Sequence, residues 1–114
     1  MHMKTSLKEG LERLPGPQGE RFAELLRHGS LSVEVYAPRG HDPQQPHAQD
    51  ELYLVHSGAG VFFDGENRVA FAAGDALWVP AGRAHRFEQV SEDFVTWVVF
   101  YGPPGGEKQD GENT

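Results

Sequence analysis

Cysteine is absent from this chain of 114 residues, which excludes disulfide bonds, thiolate metal sites and thiol nucleophiles. A metal ion would therefore have to be held by nitrogen and oxygen ligands. Long apolar runs are absent as well, so the sequence predicts no membrane-spanning helix and no membrane partner. Residues 1–14 lack the apolar stretch of a secretory signal, and on this basis we expect a cytoplasmic protein.

Basic residues are scarce in this sequence. Ten lysines and arginines stand against 17 aspartates and glutamates, which gives a formal net charge of −7. A surface that binds the phosphate backbone needs clustered basic residues, and here they are scattered, so we expect no nucleic-acid partner. The chain is also too short for two independent cores, because each half would bury too little surface. The sequence therefore predicts one domain with one site.

Turn-forming residues, in contrast, are abundant, with 14 glycines and 8 prolines spread along the chain. Between them lie short runs in which apolar and polar residues alternate, as they do in half-buried strands. The eight predicted strands cover residues 22–27, 31–36, 51–56, 60–63, 68–71, 76–79, 84–90 and 94–101. No helical period persists long enough for a parallel crossover. Short strands at this spacing indicate an all-β barrel or jelly roll.

Two segments are expected to flank the barrel, which itself spans residues 22–101. Residues 1–21 are mostly polar and contain Pro15-Gly16-Pro17, so we predict a short N-terminal arm with at most one helical turn, laid over the domain. Residues 102–114 combine prolines, glycines and charges, which predicts a flexible C-terminal tail.

Two of the predicted strands, residues 51–56 and 94–101, are apolar on both faces. A barrel uses only one face of each strand for its core, so the other face needs a cover. Either the N-terminal arm or a second subunit supplies it, because exposed apolar patches of this size usually mark interfaces. We expect a homodimer.

The potential metal ligands concentrate around one strand. His47 and Glu51 lie four residues apart, so in an extended segment their side chains point the same way, together with Gln45 if the loop is extended there. His85 opens a separate strand, and a barrel that brought the two strands together would add a second imidazole. Two histidines and one carboxylate suit iron(II), manganese or similar ions and leave coordination positions open for a substrate.

The residues around these ligands have two possible roles. Four further residues are separated from the ligands by an even number of positions along their strands, so their side chains should face the same side and line the pocket. They are Tyr53, Val55, Phe87 and Gln89. The alternative role for most of them is barrel core. Three arginines near the ligands could receive an anionic substrate or could simply carry solvated surface charge: Arg39, Arg83 and Arg86.

The spacing of these residues resembles the two sequence motifs of the cupin family. The first motif, with its histidine, glutamate and closing glycine, is matched by His47-x3-Glu51-x6-Gly58. The second motif is matched by Gly74-x5-Pro80-x-Gly82-x2-His85-x3-Gln89. The two motifs occur in the family's order with 15 residues between them, and the resemblance covers about residues 31–101.

The resemblance implies the cupin fold, a double-stranded β-helix or jelly-roll barrel, with His47, Glu51 and His85 as metal ligands. The family's other motif-one histidine is replaced by Gln45, which is therefore only the occupant of a ligand position. An amide oxygen binds a transition metal more weakly than an imidazole does. The family's final asparagine is Gln89, and the nearest preceding glycine is one residue closer than the usual spacing.

The family resemblance also bears on function. Cupins that resemble this chain include dioxygenases, isomerases and decarboxylases, so it implies a metal-dependent enzyme acting on a small molecule. Its cofactor would be one divalent ion, such as iron, manganese, nickel or zinc. The sequence shows no second acid–base pair, which favours chemistry carried by the metal. The alternative is a non-catalytic cupin that binds or senses a small ligand.

Overall fold

The alternating runs of the sequence form strands that pair into two antiparallel sheets. The structure is a computed structural model that describes residues 3–108. Within that range its elements are α1 (Leu7–Glu12), β1 (Phe22–His28), β2 (Leu31–Tyr36), β3 (Asp50–Ser57), β4 (Ala59–Phe63), β5 (Arg68–Ala72), β6 (Ala76–Val79), β7 (Arg86–Glu88) and β8 (Val95–Tyr101). One sheet has the order β1-β2-β8-β3-β6 and the other β5-β4-β7. The predicted all-β fold is confirmed.

Strand β7 is shorter than predicted, because the sequence suggested residues 84–90 and the structure has Arg86–Glu88. Gln89 has a φ of 52°, in the left-handed region that ends extended pairing. At the other end, the His85 ring lies against the backbone carbonyl of Arg83, so the chain forms a corner there. Because of this corner, His85 lies just before β7 and is not part of the strand pairing.

The main core lies between the two sheets and is built from aromatic side chains. Residues on paired strands share a face, as Tyr53 of β3 and Val98 of β8 do. The Phe87 ring lies 4.8 Å from those of both Tyr53 and Phe94, measured between centroids. The full cluster comprises Tyr36, Tyr53, Val55, Phe62, Phe71, Val79, Phe87, Phe94 and Val98.

Helix α1 lies across the outer face of β2. Ser6 caps it by accepting a hydrogen bond from the Glu9 amide at 3.2 Å, and the helix runs for six residues. Gly10 permits its close approach, since a Cβ there would lie 2.8 Å from Cγ2 of Val35. The arm is thus more helical than the single turn predicted, because its cap and its contact with β2 both stabilise it. No helix within residues 3–108 is long and apolar enough to cross a membrane.

The arm covers only part of the outer face of the larger sheet. Leu52 pairs with Trp78 on one side and with Val99 on the other, so these side chains share that face. Leu54 and Trp78 remain 43% and 50% exposed. We refer to Leu52, Leu54, Trp78 and Val99 as the outer apolar patch.

Residues 102–107, which we call the C-terminal segment, return to the start of β3. The Gly105 amide donates to the Ala48 carbonyl at 2.8 Å, and the Glu107 amide donates to Oδ2 of Asp50 at 2.8 Å. The other oxygen of Asp50 accepts from the Ala81 amide at 3.0 Å, and Asp50 is buried. This part of the tail that the sequence predicts to be flexible is therefore hydrogen-bonded to the barrel, and residues 109–114 lie outside the described range.

Candidate metal centre

Three of the predicted ligands meet at one end of the barrel. His47 precedes β3, Glu51 lies on β3 and His85 lies just before β7. One ligand atom from each lies within 4.8 Å of the others. Two ligands at about 2.1 Å from one ion are at most about 4.2 Å apart, so closure by about half an ångström would bring all three onto one ion.

The convergence of these ligands depends on the corner at Pro80-Ala81-Gly82. Glu51 pairs with Val79 at the end of β6, where the corner begins. The Gly82 amide then donates to the His47 carbonyl at 2.7 Å. Asp50 fixes the same corner through its bond from Ala81. Backbone hydrogen bonds thus join the segments that carry all three ligands.

Glu51 is a buried carboxylate that has no aligned hydrogen-bond donor among residues 3–108. Its side chain is 1% exposed, and neither oxygen accepts an aligned hydrogen bond within the described part of the chain. Nε2 of His85 is 3.1 Å from Oε1 but is not aligned for a hydrogen bond. Burying a carboxylate in this way lowers the stability of the folded protein unless a cation or several hydrogen-bond donors compensate its charge. The residues therefore fit a bound divalent ion.

His85 is held in one orientation by its other ring nitrogen. Nδ1 lies 2.9 Å from the carbonyl oxygen of Arg83, which can only accept, so Nδ1 carries a proton. Nε2 then faces Glu51 and is the atom available for a metal. Burial alone would lower the pKa of His85, but the Glu51 carboxylate and the Arg83 carbonyl outweigh it and raise the pKa.

Next to Nε2 of His85 lies a set of hydrogen-bonded residues that the sequence analysis did not single out for this role. The Gln44 amide nitrogen donates to Asp42 at 2.8 Å, so its oxygen faces Tyr53 and accepts from the Tyr53 hydroxyl at 2.7 Å. The same hydroxyl lies 2.9 Å from Nε2 of His85. Burial, followed by the nearby Glu51 charge, raises the pKa of Tyr53 well above its usual value. Asp42 also accepts from the Phe87 amide at 2.7 Å, which attaches the loop to β7.

Gln45, the fourth predicted ligand, is exposed. Its side chain makes no hydrogen bond to residues 3–108, whereas its neighbour Gln44 contacts Tyr53. Gln45 does line the cavity beside the metal centre. Its role as a ligand stays a prediction.

A cavity of about 890 Å³ opens beside Glu51 and His47. The residues predicted to line the pocket lie elsewhere: Tyr53, Val55 and Phe87 are in the aromatic core, and Gln89 is exposed on a turn. The aromatic side chain of β7, Phe87, fills the barrel there, while the inner faces of β2 and β8 leave room. The cavity walls include Glu34, Tyr36, His47, Glu51, Val98 and Phe100.

Glu34 is an acidic residue of the cavity wall on β2 that the sequence analysis passed over. It lies on β2 opposite Val98 and is largely buried. Burial, and after it the charges of Glu24 and Glu51, raise the pKa of Glu34 to about 7, while Arg27 acts in the opposite direction. The sequence signal was available, because a charged residue occupies an inward position between Ser32 and Tyr36.

The three arginines near the ligands differ in role. Arg39 lines the cavity. Arg83 donates to the Asp64 carbonyl at 2.8 Å, and Arg86 donates to Glu88 at 2.7 Å. Only Arg39 of the three is placed along the large cavity.

Comparison with known proteins adds independent information. A family model described as a cupin domain matches residues 32–101. A curated protein of Streptomyces coelicolor, described as uncharacterized, is 38% identical over 103 residues, which cover 89% of this chain and 98% of that protein.

Solved structures give the same fold. A Cupin 2 conserved barrel domain protein from Salinispora arenicola has a TM-score of 0.66 at 18% identity, over 90% of this chain and 89% of that chain. A candidate mannose-6-phosphate isomerase from Ralstonia eutropha has a TM-score of 0.56 at 26% identity, over 74% of this chain and 83% of that chain.

Proposed function

Because the chain belongs to the cupin family, we propose that it is a metal-dependent enzyme acting on a small molecule. His47, Glu51 and His85 hold one divalent ion. The observation that carries this proposal is the buried carboxylate of Glu51, which has no donor of its own within the described residues. Two imidazoles and one carboxylate suit iron, manganese, nickel or zinc and leave positions open.

The ion, when bound, would supply Lewis acidity or oxygen activation. The protein's own residues do the rest. The cavity beside Glu51 admits the substrate, while the Arg83 carbonyl holds the His85 ring in place through Nδ1. The reaction is of the dioxygenase, isomerase or decarboxylase type. The similarity to a protein named as a candidate sugar-phosphate isomerase favours the isomerase type.

Metal analysis tests this proposal directly. Protein purified without chelator or added metal should contain about one divalent ion per chain by mass spectrometry. His47→Ala and His85→Ala should each lose most of it, since each removes an imidazole ligand. His56→Ala is the matched control, because His56 is an exposed histidine on β3 outside the group. Less than about a tenth of an equivalent in the unaltered protein would favour a non-catalytic ligand-binding cupin.

Gln45 offers a graded test of the ligand set. If its amide oxygen is a fourth ligand, Gln45→His should tighten transition-metal binding, because imidazole is the stronger donor. Gln45→Ala should weaken binding without abolishing it. Competition titration with one metal measures both, and Gln18→Ala serves as the control, because Gln18 is an exposed glutamine that lines the same cavity. Equal affinity of Gln45→Ala and the unaltered protein would leave a three-residue site completed by solvent.

We also propose that two chains pair through the outer apolar patch, because the arm leaves Leu54 and Trp78 about half exposed. Light scattering at micromolar concentration should give the mass of a dimer. Leu54→Glu should give a monomer, since a charge would then be buried in the interface. Val69→Glu is the control, because Val69 is 51% exposed on the other sheet. A monomer before any substitution would contradict the pairing.

A further inference from the structure

Glu34 shares the cavity with the metal centre but belongs to a different part of its wall. It lies on β2, and two strand spacings of about 4.8 Å each separate β2 from β3, where Glu51 lies. Both carboxyl groups border the same space, together with His47. A small molecule in this cavity could therefore contact the ion and Glu34 together.

Glu34 has no cationic partner within residues 3–108. The nearest candidate is Arg27, whose guanidinium donates to Glu24 at 2.6 Å. Ser32 donates to the same oxygen of Glu24 at 3.0 Å. Glu24 stands directly opposite Glu34 in the β1–β2 register, so it takes both donors and adds a like charge. Glu34 is left as a largely buried carboxyl group that faces a cavity.

The surroundings of Glu34 contain charges of both signs but no direct ion pair. Val98 and Phe100 of β8 are apolar and lie between Glu34 and the metal centre. The other titratable or charged residues around it are Glu24 and Arg27 of β1, Glu51 of β3, Tyr36 of its own strand, Glu20 and Arg21 of the arm, and Arg39, His41 and His47 of the loop. A carboxyl group so placed can change its protonation at neutral pH, as its raised pKa requires.

We propose that Glu34 is the proton donor and acceptor of this site, and that the substrate is a small α-hydroxy carbonyl compound. The inference rests on the proposed metal-dependent function. It supplies the acid–base group that the sequence analysis did not find, and it narrows the chemistry to proton transfer of the isomerase type.

The proposed step is balanced within the substrate and Glu34. The C–H bond beside the carbonyl breaks, and its proton goes to the Glu34 carboxylate. The electron pair forms a carbon–carbon double bond while the carbonyl becomes a C–O single bond, and that oxygen takes the proton of the neighbouring hydroxyl group. Return of the proton from Glu34 to the former carbonyl carbon re-forms a carbonyl group on the neighbouring carbon, which gives the isomeric carbonyl compound. No oxidant or further reactant is consumed.

The test uses the full chain loaded with zinc and dihydroxyacetone as the probe. Dihydroxyacetone is a small molecule with a carbonyl group flanked by hydroxyl-bearing C–H groups. In D₂O, proton NMR should show loss of its C–H signal when the protein is present. Glu34→Gln should slow this exchange about 100-fold or more, because the amide cannot take the proton. Zinc content should be unchanged, since Glu34 is outside the ligand group.

A second readout does not depend on turnover. Carbon-13 NMR of labelled glutamate in the metal-free protein should show Glu34 titrating near 7, the value to which its pKa is raised. Glu24→Gln should lower that midpoint, because Arg27 loses its present partner and can approach Glu34. Glu92→Gln, an exposed control, should leave both the midpoint and the exchange rate unchanged.

The outcomes separate the two proposals. Equal exchange by Glu34→Gln and the unaltered protein would overturn the role of Glu34. A zinc-loaded protein that exchanges nothing, or a Glu34 that titrates near 4, would overturn it as well. Failure to bind any zinc would instead contradict the metal centre, and with it the chemistry that Glu34 is proposed to assist.

Discussion

Replacing Glu51 by leucine should abolish metal binding and leave the metal-free protein at least as stable as before. The carboxylate is buried without an aligned donor, so removing it relieves a desolvation cost. The desolvation of one buried ion costs several kcal/mol, so an apolar side chain of similar volume at this position should leave stability unchanged or raise it by up to about 4 kcal/mol. Metal affinity should fall at least about 100-fold, because the only carboxylate of the group is lost.

Urea denaturation with a chelator present measures the first effect, and metal titration measures the second. His85 keeps its contacts with Arg83 and Tyr53 in this variant, so the site should not collapse. Glu92→Leu, at an exposed position, should change stability by less than about 0.5 kcal/mol. Loss of more than about 2 kcal/mol by Glu51→Leu in chelator would mean that the carboxylate has stabilising partners and is not waiting for a cation.

Asp50→Ala should lower the free energy of unfolding by about 2–4 kcal/mol and should also weaken metal binding. Its two oxygens accept from the Ala81 and Glu107 amides, and hydrogen bonds to a charged group contribute about 1.5–3 kcal/mol each. Asparagine should also be costly, because its NH₂ group would face one of the two donors. Metal affinity should fall because the Ala81 bond holds the corner that leads to His85.

Asp75→Ala provides a matched control for the loss of Asp50. Asp75 also accepts a backbone hydrogen bond, from the Ala72 amide at 2.8 Å, but on an exposed turn far from the ligands in sequence. Its loss should cost about 1 kcal/mol and leave metal affinity unchanged. If Asp50→Ala weakened metal binding no more than this control does, Asp50 would have no part in positioning the site.

Strands and ligands could be predicted from the sequence because both depend on local spacing. Alternation fixed the strands to within about two residues at most boundaries, and the motif spacing brought His47, Glu51 and His85 together. The strand that differs most from its prediction, β7, is two residues shorter at each end and stops before Gln89, whose positive φ is set by tertiary structure and is not signalled by its residue type.

The cavity could not be predicted in the same way. The alternation of residues along a strand shows which side chains point inward, but it does not show which parts of the barrel interior those side chains fill. Phe87 fills its part of the barrel by packing on Tyr53 and Phe94, contacts that depend on distant parts of the chain. Glu34, in contrast, lines an open cavity beside Val98 and Phe100. Likewise, the contacts of Asp42 and Gln44 with Tyr53 and Phe87 appear only once the loop is folded.

The C-terminal segment would be a thermodynamic partner of a metal ion bound at this site. Asp50 and Ala48, which bind that segment, lie between the proposed ligands His47 and Glu51 in the sequence. If the docked segment raises metal affinity by some factor, linkage requires the metal to favour docking by the same factor. Amide exchange at Glu107 would then slow when metal is added, and a binder that captures residues 102–107 away from the barrel would lower metal affinity without contacting the ligands.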